Sequence, residues 1–279
     1  MECILCRHNQ AVEFLNLGRQ PLANKYPAPE AEFQTEDFFP LAVFFCPQCK
    51  NVQLGTIVSR ERMFEDYYYL SSVNPGLVRH FEQLAKKIAG SAFVVDIGSN
   101  DGILLKPLKE LGVKAIGVDP SINVSKIAND AGLTTIVSFF DSAVADAIKS
   151  QYQKSDMVVA SSIFTHLDDP HPFLEAVKNL LTDEGKFIVE VEFIGNILKS
   201  VQFERFYLDR VFYYSLTSLK SLFAAHGMRI IDAEEIEPHG GSIRVTACNN
   251  GRGQIISDRV NRILEEEKTN LTNAKLEEF

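Results

Sequence analysis

Apolar residues in the middle of the chain alternate between continuous runs and helical spacing. Continuous runs such as Phe93–Ile97 are typical of strands buried on both faces of a parallel sheet, and each is followed by a stretch with apolar residues every three or four positions. This repeated alternation predicts a doubly wound α/β sheet. The predicted strands cover residues 93–97, 115–119, 134–137, 157–160 and 186–190, and the predicted helices cover 75–88, 102–110, 121–131, 141–152 and 171–181.

The end of this sheet follows a different pattern. A helix predicted near residues 216–226 leads to an apolar run at 228–232, and the turn His239-Gly240-Gly241 separates that run from a second one at 242–245. Two strands joined by a short glycine turn are antiparallel. The parallel sheet is therefore expected to close with an antiparallel strand.

The two ends of the chain differ from this central region. Residues 1–50 have little helical periodicity and contain short apolar runs typical of strands. An aromatic connector follows, which includes Tyr67 and Tyr69. Residues 254–279 are strongly charged, with apolar residues at helical spacing. We therefore divide the chain into a small N-terminal domain with its connector at 1–75, a main domain at 76–252 and a charged terminal helix at 253–279.

Composition and charge exclude several classes of protein. Of 279 residues, 46% are hydrophobic and 23% are charged, which is typical of globular domains, and the net charge is −9 without a basic cluster. Nucleic-acid binding is therefore not expected. No apolar run approaches the roughly 18–20 residues that span a bilayer, and no signal peptide follows Met1. We expect a cytoplasmic protein without membrane contact, and the sequence carries no signal for its oligomeric state.

Four of the five cysteines form two Cys-x-x-Cys pairs. In a reducing cytoplasm this spacing indicates a metal site rather than disulfides. Four thiolates suit one tetrahedral Zn²⁺ and leave no open coordination position, so the site would be structural. The alternative is that the four thiols bind no metal. His8 is a less favoured ligand. The fifth cysteine, Cys248, lies in an apolar run, where a small buried side chain is expected. The predicted zinc ligands are Cys3, Cys6, Cys46 and Cys49.

The loop Asp96–Gly102 connects a buried strand to a helix. Gly98 allows a tight turn beneath a ligand, Asn100 tolerates a left-handed backbone, and Gly102 lets the helix begin close to the strand. The spacing lacks the last glycine of the dinucleotide fingerprint, and the lysine of a P-loop is absent. Asp119 ends the next strand, where a carboxylate can accept hydrogen bonds from two ribose hydroxyls. A plain tight turn is the alternative, but the loop and the strand-end acid together favour a nucleoside-containing cofactor.

Two further groups of residues follow the third and fourth predicted strands, at the edge where such sheets bind ligands. Phe139 and Phe140 could cover an adenine ring, and ordinary core packing is equally compatible with them. Ser161 ends the fourth strand and leads to His166. This histidine is a candidate for proton transfer or substrate orientation, or simply a residue at a helix end.

Together these residues resemble the sugar C-methyltransferases, which use S-adenosylmethionine to methylate nucleotide-linked keto-deoxysugars. The resemblance implies a class I methyltransferase sheet, which also closes with an antiparallel hairpin, behind a small zinc domain. It further implies that S-adenosylmethionine binds at the 96–102 loop and Asp119. The acceptor would be a small molecule, a nucleotide-linked sugar, near His239, Gly240, Gly241 and Ser242. The resemblance is carried by the cysteine pairs and by residues 18–24, 66–72, 96–102, 203–215 and 239–242.

The sequence departs from this family in two places. Where the family usually has Tyr-His-Glu-His, with the last histidine as general base, this chain has Tyr207-Leu208-Asp209-Arg210. Arginine stays protonated, so Arg210 cannot take a proton; it could instead bind a phosphate, pair with Asp209 or stabilise an enolate. The family's third, Rossmann-like domain would begin where the chain ends, at Phe279. The candidate catalytic residues are therefore Tyr67, Tyr69, His166, Tyr207, Asp209 and Arg210.

Methyl transfer from S-adenosylmethionine to a carbon beside a keto group is the favoured function, and three others stay open. The acceptor could be a hydroxyl group, which needs only weak assistance from a base. The chain could be a zinc protein that binds a nucleoside without catalysis, since Arg210 replaces the usual base. An NAD-dependent sugar oxidoreductase is the least compatible, because the loop lacks the third glycine at the required spacing.

Overall fold

The computed structural model describes residues 1–23, 36–60, 63, 69–249 and 254–279. Tyr67, in the predicted aromatic connector, therefore lies outside the described residues. Within the described ranges the strands are β1 (Val12–Pro21), β2 (Phe38–Phe45), β3 (Val52–Leu54), β4 (Phe93–Ile97), β5 (Lys114–Asp119), β6 (Thr135–Val137), β7 (Ser155–Ser161), β8 (Leu181–Glu192), β9 (Phe212–Tyr213), β10 (Met228–Ile236) and β11 (Ser242–Asn249). The α-helices there are α1 (Pro75–Lys87), α2 (Leu105–Glu110), α3 (Ile122–Asp130), α4 (Ser142–Gln151), α5 (Pro170–Leu180), α6 (Ile194–Lys199), α7 (Leu216–Ala225), α8 (Asp258–Asn270) and α9 (Asn273–Glu277).

Seven strands form the main sheet, in the order β10-β11-β8-β7-β4-β5-β6. The strands from β8 to β6 in this order run parallel, because helices return the chain to the same edge after each strand. All five residues of β4 are buried, as expected for a strand covered on both faces. β11 is antiparallel to both of its neighbours, β8 and β10. The predicted α/β sheet with an antiparallel closing strand is confirmed.

The helices begin at residues that the sequence marks as caps. At the start of α1, Oδ1 of Asn74 accepts hydrogen bonds from the backbone N–H of Gly76 at 2.8 Å and of Leu77 at 3.3 Å. Asp141 and Asp169 cap α4 and α5 with their side chains in a similar way. These caps satisfy backbone donors that would otherwise lack partners. No helix among the described residues has the length and apolar character needed to cross a bilayer.

Several elements of the main domain differ in their bounds from the predictions, among them α2 and β8. α2 begins at Leu105 rather than at Gly102, because residues 99–104 first form turns and Gly102 has a φ of 84°. β8 begins at Leu181, five residues earlier than predicted, since Leu181 already pairs with Ser155 of β7. The edge of the sheet that carries the strand ends is unchanged by either difference.

The N-terminal residues form a second, antiparallel sheet in the order β1-β2-β3-β9. Its fourth strand comes from the segment that follows β8: Tyr213 pairs with Val52, and Phe212 pairs with Gln53. The small sheet therefore draws one of its strands from well beyond residue 75. The division of the chain into domains at residues 75 and 252 stays a prediction.

The C-terminal helices connect the two sheets. α8 packs on α7 and β10, and Leu271 is buried in the core of the small sheet. The predicted single terminal helix is interrupted at this buried leucine, and the side chain of Thr272 caps the new helix α9. The buried carboxylate of Glu267 caps α7, because it accepts hydrogen bonds from the backbone N–H of Leu216 at 2.6 Å and of Thr217 at 2.8 Å.

Candidate functional site

The four paired cysteines come together beside the small sheet. The Sγ atoms of Cys3 and Cys49 are 3.6 Å apart, as are those of Cys6 and Cys46, and all four lie within 4.8 Å of one another. A tetrahedral zinc with Zn–S bonds of about 2.3 Å places its sulfur ligands about 3.8 Å apart, so the cluster fits this ion. Among the described residues the cluster consists of these four ligands, without His8. Four thiolates close the coordination sphere, which makes the site structural rather than catalytic.

A cavity of about 350 Å³ opens at the carboxyl ends of the parallel strands β4, β5 and β7. Sheets of this type bind ligands at this edge, and the volume is in the range of small-molecule sites. Gly102, Gly240, Gly241 and Ser242 do not line it. The predicted site residues that line it are Tyr69, Asp96, Gly98, Asn100, Asp119, Phe139, Phe140, Ser161, His166, Tyr207, Asp209, Arg210 and His239.

The loop after β4 turns sharply at the cavity. Gly98 has a φ of 78° at the predicted tight turn, and Asn100 has a φ of 49°, the left-handed backbone that the sequence predicts for it. A Cβ atom on Gly98 would lie 2.2 Å from Cγ2 of Ile163, so only glycine fits there. Gly102 also needs to be glycine, because its φ is 84° and its Cβ would lie 2.3 Å from Cδ1 of Leu133. Gly102 therefore shapes the loop without lining the cavity.

The aromatic connector is joined to this loop by Asn100. Nδ2 of Asn100 donates to the backbone carbonyl of Tyr69 at 3.1 Å, and the backbone N–H of Ser71 donates to Oδ1 of the same side chain at 3.0 Å. The asparagine thus serves both as a left-handed turn residue and as a bridge. The sequence analysis anticipated the first role only.

Two buried carboxylates face the cavity from β4 and β5. Asp119 accepts hydrogen bonds from the backbone N–H of Asn100 and of Ser121, both at 2.9 Å, and its remaining lone pairs can still accept from hydroxyl donors. Burial raises the pKa of Asp119. Desolvation, together with the charges of Asp119 and Glu190, raises the pKa of Asp96 to about 8. A cationic ligand beside this pair would favour the ionised carboxylates.

A charged network that the sequence analysis missed lies beside Ser161. Oγ of Ser161 donates to Oε2 of Glu190 at 2.9 Å, and Nε2 of His80 also lies 2.9 Å from this oxygen. Nε of Arg244 donates to the other carboxylate oxygen at 2.5 Å. Burial alone would raise the pKa of Glu190, but His80 and Arg244 hold it below its ordinary value. The sequence signal for this network is slight: Glu190 ends an apolar run, and His80 has none.

The two phenylalanines after β6 have different surroundings. Phe140 is buried in the core and packs edge-on against Phe173, with ring centroids 5.2 Å apart. Phe139 is half-buried, and the guanidinium of Arg60 lies 5.0 Å from its ring centroid. Phe139 is therefore the better placed ring for a planar group in the cavity, whereas Phe140 mainly fills the core.

His166 ends a short 3₁₀ helix that follows β7. Its Nδ1 donates a hydrogen bond to the backbone carbonyl oxygen of Asp209. Because a carbonyl oxygen only accepts, Nδ1 carries the proton and Nε2 of the neutral ring is the acceptor nitrogen. The Asp209 side chain is buried, and this raises its pKa in spite of the nearby His166 and Arg210.

Arg210 is buried and pairs with Glu192 rather than with Asp209. Its Nη2 lies 2.7 Å from Oε1 of Glu192, and its guanidinium carbon lies 4.5 Å from the ring centroid of Tyr207. Burial alone would lower the pKa of Arg210, but Glu192, Tyr207 and Asp209 raise it, so the side chain stays a cation. Its Nε and Nη1 have no hydrogen-bond partner among the described residues. Burial also raises the pKa of Tyr207, whose hydroxyl keeps its proton.

The glycine turn before β11 brings one of its predicted residues to the cavity. His239 has a φ of 57° and lines the cavity, and burial lowers the pKa of its imidazole. A Cβ on Gly240 would lie 2.1 Å from Nη2 of Arg205, and Gly241 has a φ of 115°. Ser242 is buried at the start of β11. These three residues shape the turn that presents His239, and their contact with substrate stays a prediction.

Comparison with known proteins divides the chain between two family models. Residues 3–64 match a zinc binding domain, and residues 65–233, more than half of the chain, match a methyltransferase domain. The C-methyltransferase NovU of Streptomyces niveus is 31% identical over 274 residues, which cover 96% of this chain and 65% of NovU. The ubiquinone biosynthesis O-methyltransferase of Chelativorans sp. (strain BNC1) is 27% identical over 136 residues, which cover 47% of this chain and 53% of that enzyme. The chain thus spans about two thirds or less of the length of these relatives.

One solved structure is an S-adenosylmethionine-dependent methyltransferase from Clostridium acetobutylicum ATCC 824. It superposes with a TM-score of 0.48 at 16% identity, over 62% of this chain and 92% of that chain. A structural similarity of this size does not by itself support an assignment of function. The assignment of the family rests on the sequence matches and on the order of strands described above.

Proposed function

Since this chain belongs to the family of S-adenosylmethionine-dependent methyltransferases, we propose that it transfers a methyl group to a carbon atom beside the keto group of a nucleotide-linked sugar. The observation that carries the proposal is a single cavity with two kinds of lining. A glycine loop and Asp119 form one part of the lining, here called the cofactor side, and His166 and Arg210 form another, the acceptor side. The relative named as a C-methyltransferase supports a carbon acceptor. The sugar is supported by the resemblance of residues 203–215 and 239–242 to the sugar C-methyltransferases.

The cofactor side offers what a sulfonium nucleoside needs. Asp119 has lone pairs for ribose hydroxyls, Phe139 offers a face to adenine, and the buried carboxylate of Asp96 suits a cationic ligand. Bound S-adenosylmethionine supplies a methyl group already activated on a cationic sulfur. The protein must therefore align the acceptor with this methyl group and remove a proton from the acceptor.

The zinc cluster supports the acceptor side without taking part in the chemistry. β3 follows Cys49 closely and pairs with β9, and β9 follows the Tyr207–Arg210 segment. A metal that orders the cysteine loops would therefore also support the strand that anchors this segment. The closed sphere of four thiolates leaves no position for a substrate atom.

A second candidate is methyl transfer to a hydroxyl oxygen. Arg210 stands where the sugar C-methyltransferases have their histidine base, and a hydroxyl needs less help from a base than a carbon acid does. The ubiquinone biosynthesis O-methyltransferases, which match about half of the chain or less, support this alternative.

Two measurements test these proposals on zinc-loaded protein. Calorimetry with S-adenosylmethionine, S-adenosylhomocysteine and NAD should show binding of the first two and none of the third. Incubation with ¹³C-methyl S-adenosylmethionine and a panel of nucleotide-linked keto-deoxysugars, followed by NMR, then locates the new methyl group. A methyl on carbon supports the first candidate, and a methyl on oxygen supports the second. If neither methyl-cycle ligand binds, both are wrong and a non-catalytic role replaces them.

A further inference from the structure

The acceptor side of the cavity holds the guanidinium of Arg210 and the imidazole of His166. Nδ1 of His166 is hydrogen-bonded to the carbonyl of Asp209, which belongs to the peptide group that joins Asp209 to Arg210. The side chains of His166 and Arg210 both line the cavity. One hydrogen bond therefore sets the imidazole beside the residue that carries the guanidinium.

The geometry leaves His166 with a nitrogen suited to take a proton. Its Nδ1–H is engaged by an acceptor that cannot donate, so the lone pair of the neutral ring is on Nε2. Other side chains on this side are less suited to the task. Tyr207 keeps its proton because burial raises its pKa, and Oδ1 of Asp209 is enclosed by protein and has no hydrogen-bond partner among the described residues.

Arg210 has the properties of a group that stabilises negative charge. It is buried, and one nitrogen, Nη2, is held by Glu192 at 2.7 Å. Nε and Nη1 have no acceptor among the described residues but are enclosed by protein, so it is the positive charge of the guanidinium beside the cavity that would stabilise an oxyanion. A preorganised cation in a site sheltered from water is worth far more to a developing charge than one in solution.

We propose that two residues here replace the single histidine base of the sugar C-methyltransferases. His166 is the base that removes the proton, and Arg210 is the electrophilic group that stabilises the enolate oxygen. This inference rests on the proposed methylation of carbon. Nε2 of His166 takes the proton from the carbon beside the keto group, the C–H electron pair forms a C=C bond, and the carbonyl π pair moves to the oxygen beside Arg210. The enolate carbon then bonds to the methyl group as the C–S bond breaks and its electron pair stays on sulfur. The proton leaves His166 for solvent.

The first test needs no acceptor. Protein labelled with ¹⁵N-histidine is examined by two-bond ¹H–¹⁵N NMR near pH 8, and the His166 signals are assigned by their loss in His166→Asn. We expect a neutral ring with the proton on Nδ1. A matched variant, His226→Asn, removes a histidine outside the cavity lining and should leave these signals in place. A ring with its proton on Nε2 would overturn the role of His166.

The second test separates proton removal from methyl transfer. The protein is incubated in D₂O with S-adenosylhomocysteine and with 4-keto-6-deoxyhexoses linked to thymidine, guanosine or uridine diphosphate, and deuterium entry beside the ketone is followed by NMR. Exchange should be lost in His166→Asn and slowed about 10²–10³-fold in Arg210→Gln, as for the loss of one oxyanion donor. Arg210→Lys should retain part of the rate. Exchange at the normal rate in either His166→Asn or Arg210→Gln would overturn the role of that residue.

Two further readouts keep the proposal falsifiable. Arg210→Gln leaves Glu192 as a buried, unpaired carboxylate, so the double variant Arg210→Gln/Glu192→Gln is measured beside it and should show the same slow exchange. If the whole panel is methylated on oxygen, or on nothing, without deuterium entry, then the proposed carbon methylation has failed. In that case the NMR measurement of the His166 tautomer still shows whether Nδ1 carries the proton and donates to the carbonyl of Asp209.

Discussion

The two sides of the cavity are built in different ways. The cofactor side consists of a short loop with left-handed backbone at Gly98 and Asn100, and a carboxylate, Asp119, held by backbone N–H groups. The acceptor side includes the side chains of His166 and Arg210, which come from separate segments of the chain, and Glu192 of β8 is the ion-pair partner of Arg210. A site made of local backbone is specified by a few neighbouring residues. A site made of distant side chains depends on residues that are far apart in the sequence, such as His166 and Arg210.

Removal of zinc should have the largest effect and should separate the two sides. Structural zinc contributes about 10–16 kcal/mol to the folding of small metal-binding domains, and β3 carries this support to β9 and the 207–211 segment. After chelation we expect loss of methyl transfer and rapid amide exchange in β2, β3 and β9, while S-adenosylmethionine still binds. Hydrogen-exchange mass spectrometry measures the amide exchange, and calorimetry measures the binding of S-adenosylmethionine. The control is Cys248→Ser, which lies outside the cluster. Unchanged exchange at β9 would mean that the acceptor side does not depend on the metal.

The next largest effect is expected from Arg210→Met. This variant leaves the carboxylate of Glu192 buried without its partner, which costs about 3–5 kcal/mol and lowers the melting temperature by roughly 10 °C. The double variant Arg210→Met/Glu192→Met should regain most of this stability and bind S-adenosylmethionine normally, without catalysing methyl transfer. Differential scanning calorimetry provides the comparison. A single variant as stable as the parent protein would show that the ion pair is not formed.

On the cofactor side, Asp119→Ala should weaken binding of S-adenosylmethionine about 100-fold. The loss corresponds to about 3 kcal/mol, the size expected when hydrogen bonds to a charged acceptor are removed. Asp130→Ala is the matched control, because it removes an exposed aspartate that is paired with Lys126 on α3. Isothermal titration measures both affinities. Equal affinity for Asp119→Ala and the parent protein would place the ribose elsewhere.

The smallest effect concerns Asp96 and pH. Its pKa in the folded protein is about 8, against an ordinary value of 3.8, so the folded state holds a proton that the unfolded state has lost. Stability from this group is therefore lost as the pH rises from about 4 through 8. We expect the melting temperature of Asp96→Asn to exceed that of the parent protein by an amount that grows from about pH 4 to about pH 8 and then levels off. If the melting temperatures of the two proteins change with pH by the same amount across this range, the pKa given for Asp96 is wrong.

The sequence predicted the parts of the molecule that depend on neighbouring residues. The βα alternation, the tight turn at Gly98, the left-handed backbone of Asn100 and the four thiolates were all recognised from local spacing. What was missed depends on contacts between distant residues. Nothing near Arg210 indicates that Glu192 is its partner, and β9 is only two residues long, so its pairing with β3 leaves no periodic signal. The glycines 240 and 241 were recognised as a turn, but their neighbours, Arg205 beside Gly240 and Asn196 beside Gly241, are distant in the sequence.

The buried carboxylate of Glu267 has a consequence for the order in which the chain folds. It caps the first turn of α7, but it is made some fifty residues later. During synthesis on a ribosome, the backbone donors of Leu216 and Thr217 lack this acceptor until α8 has emerged. The first turn of α7 is therefore completed only after α8 has been synthesised, and a pause before residue 267 would leave these two donors without this acceptor.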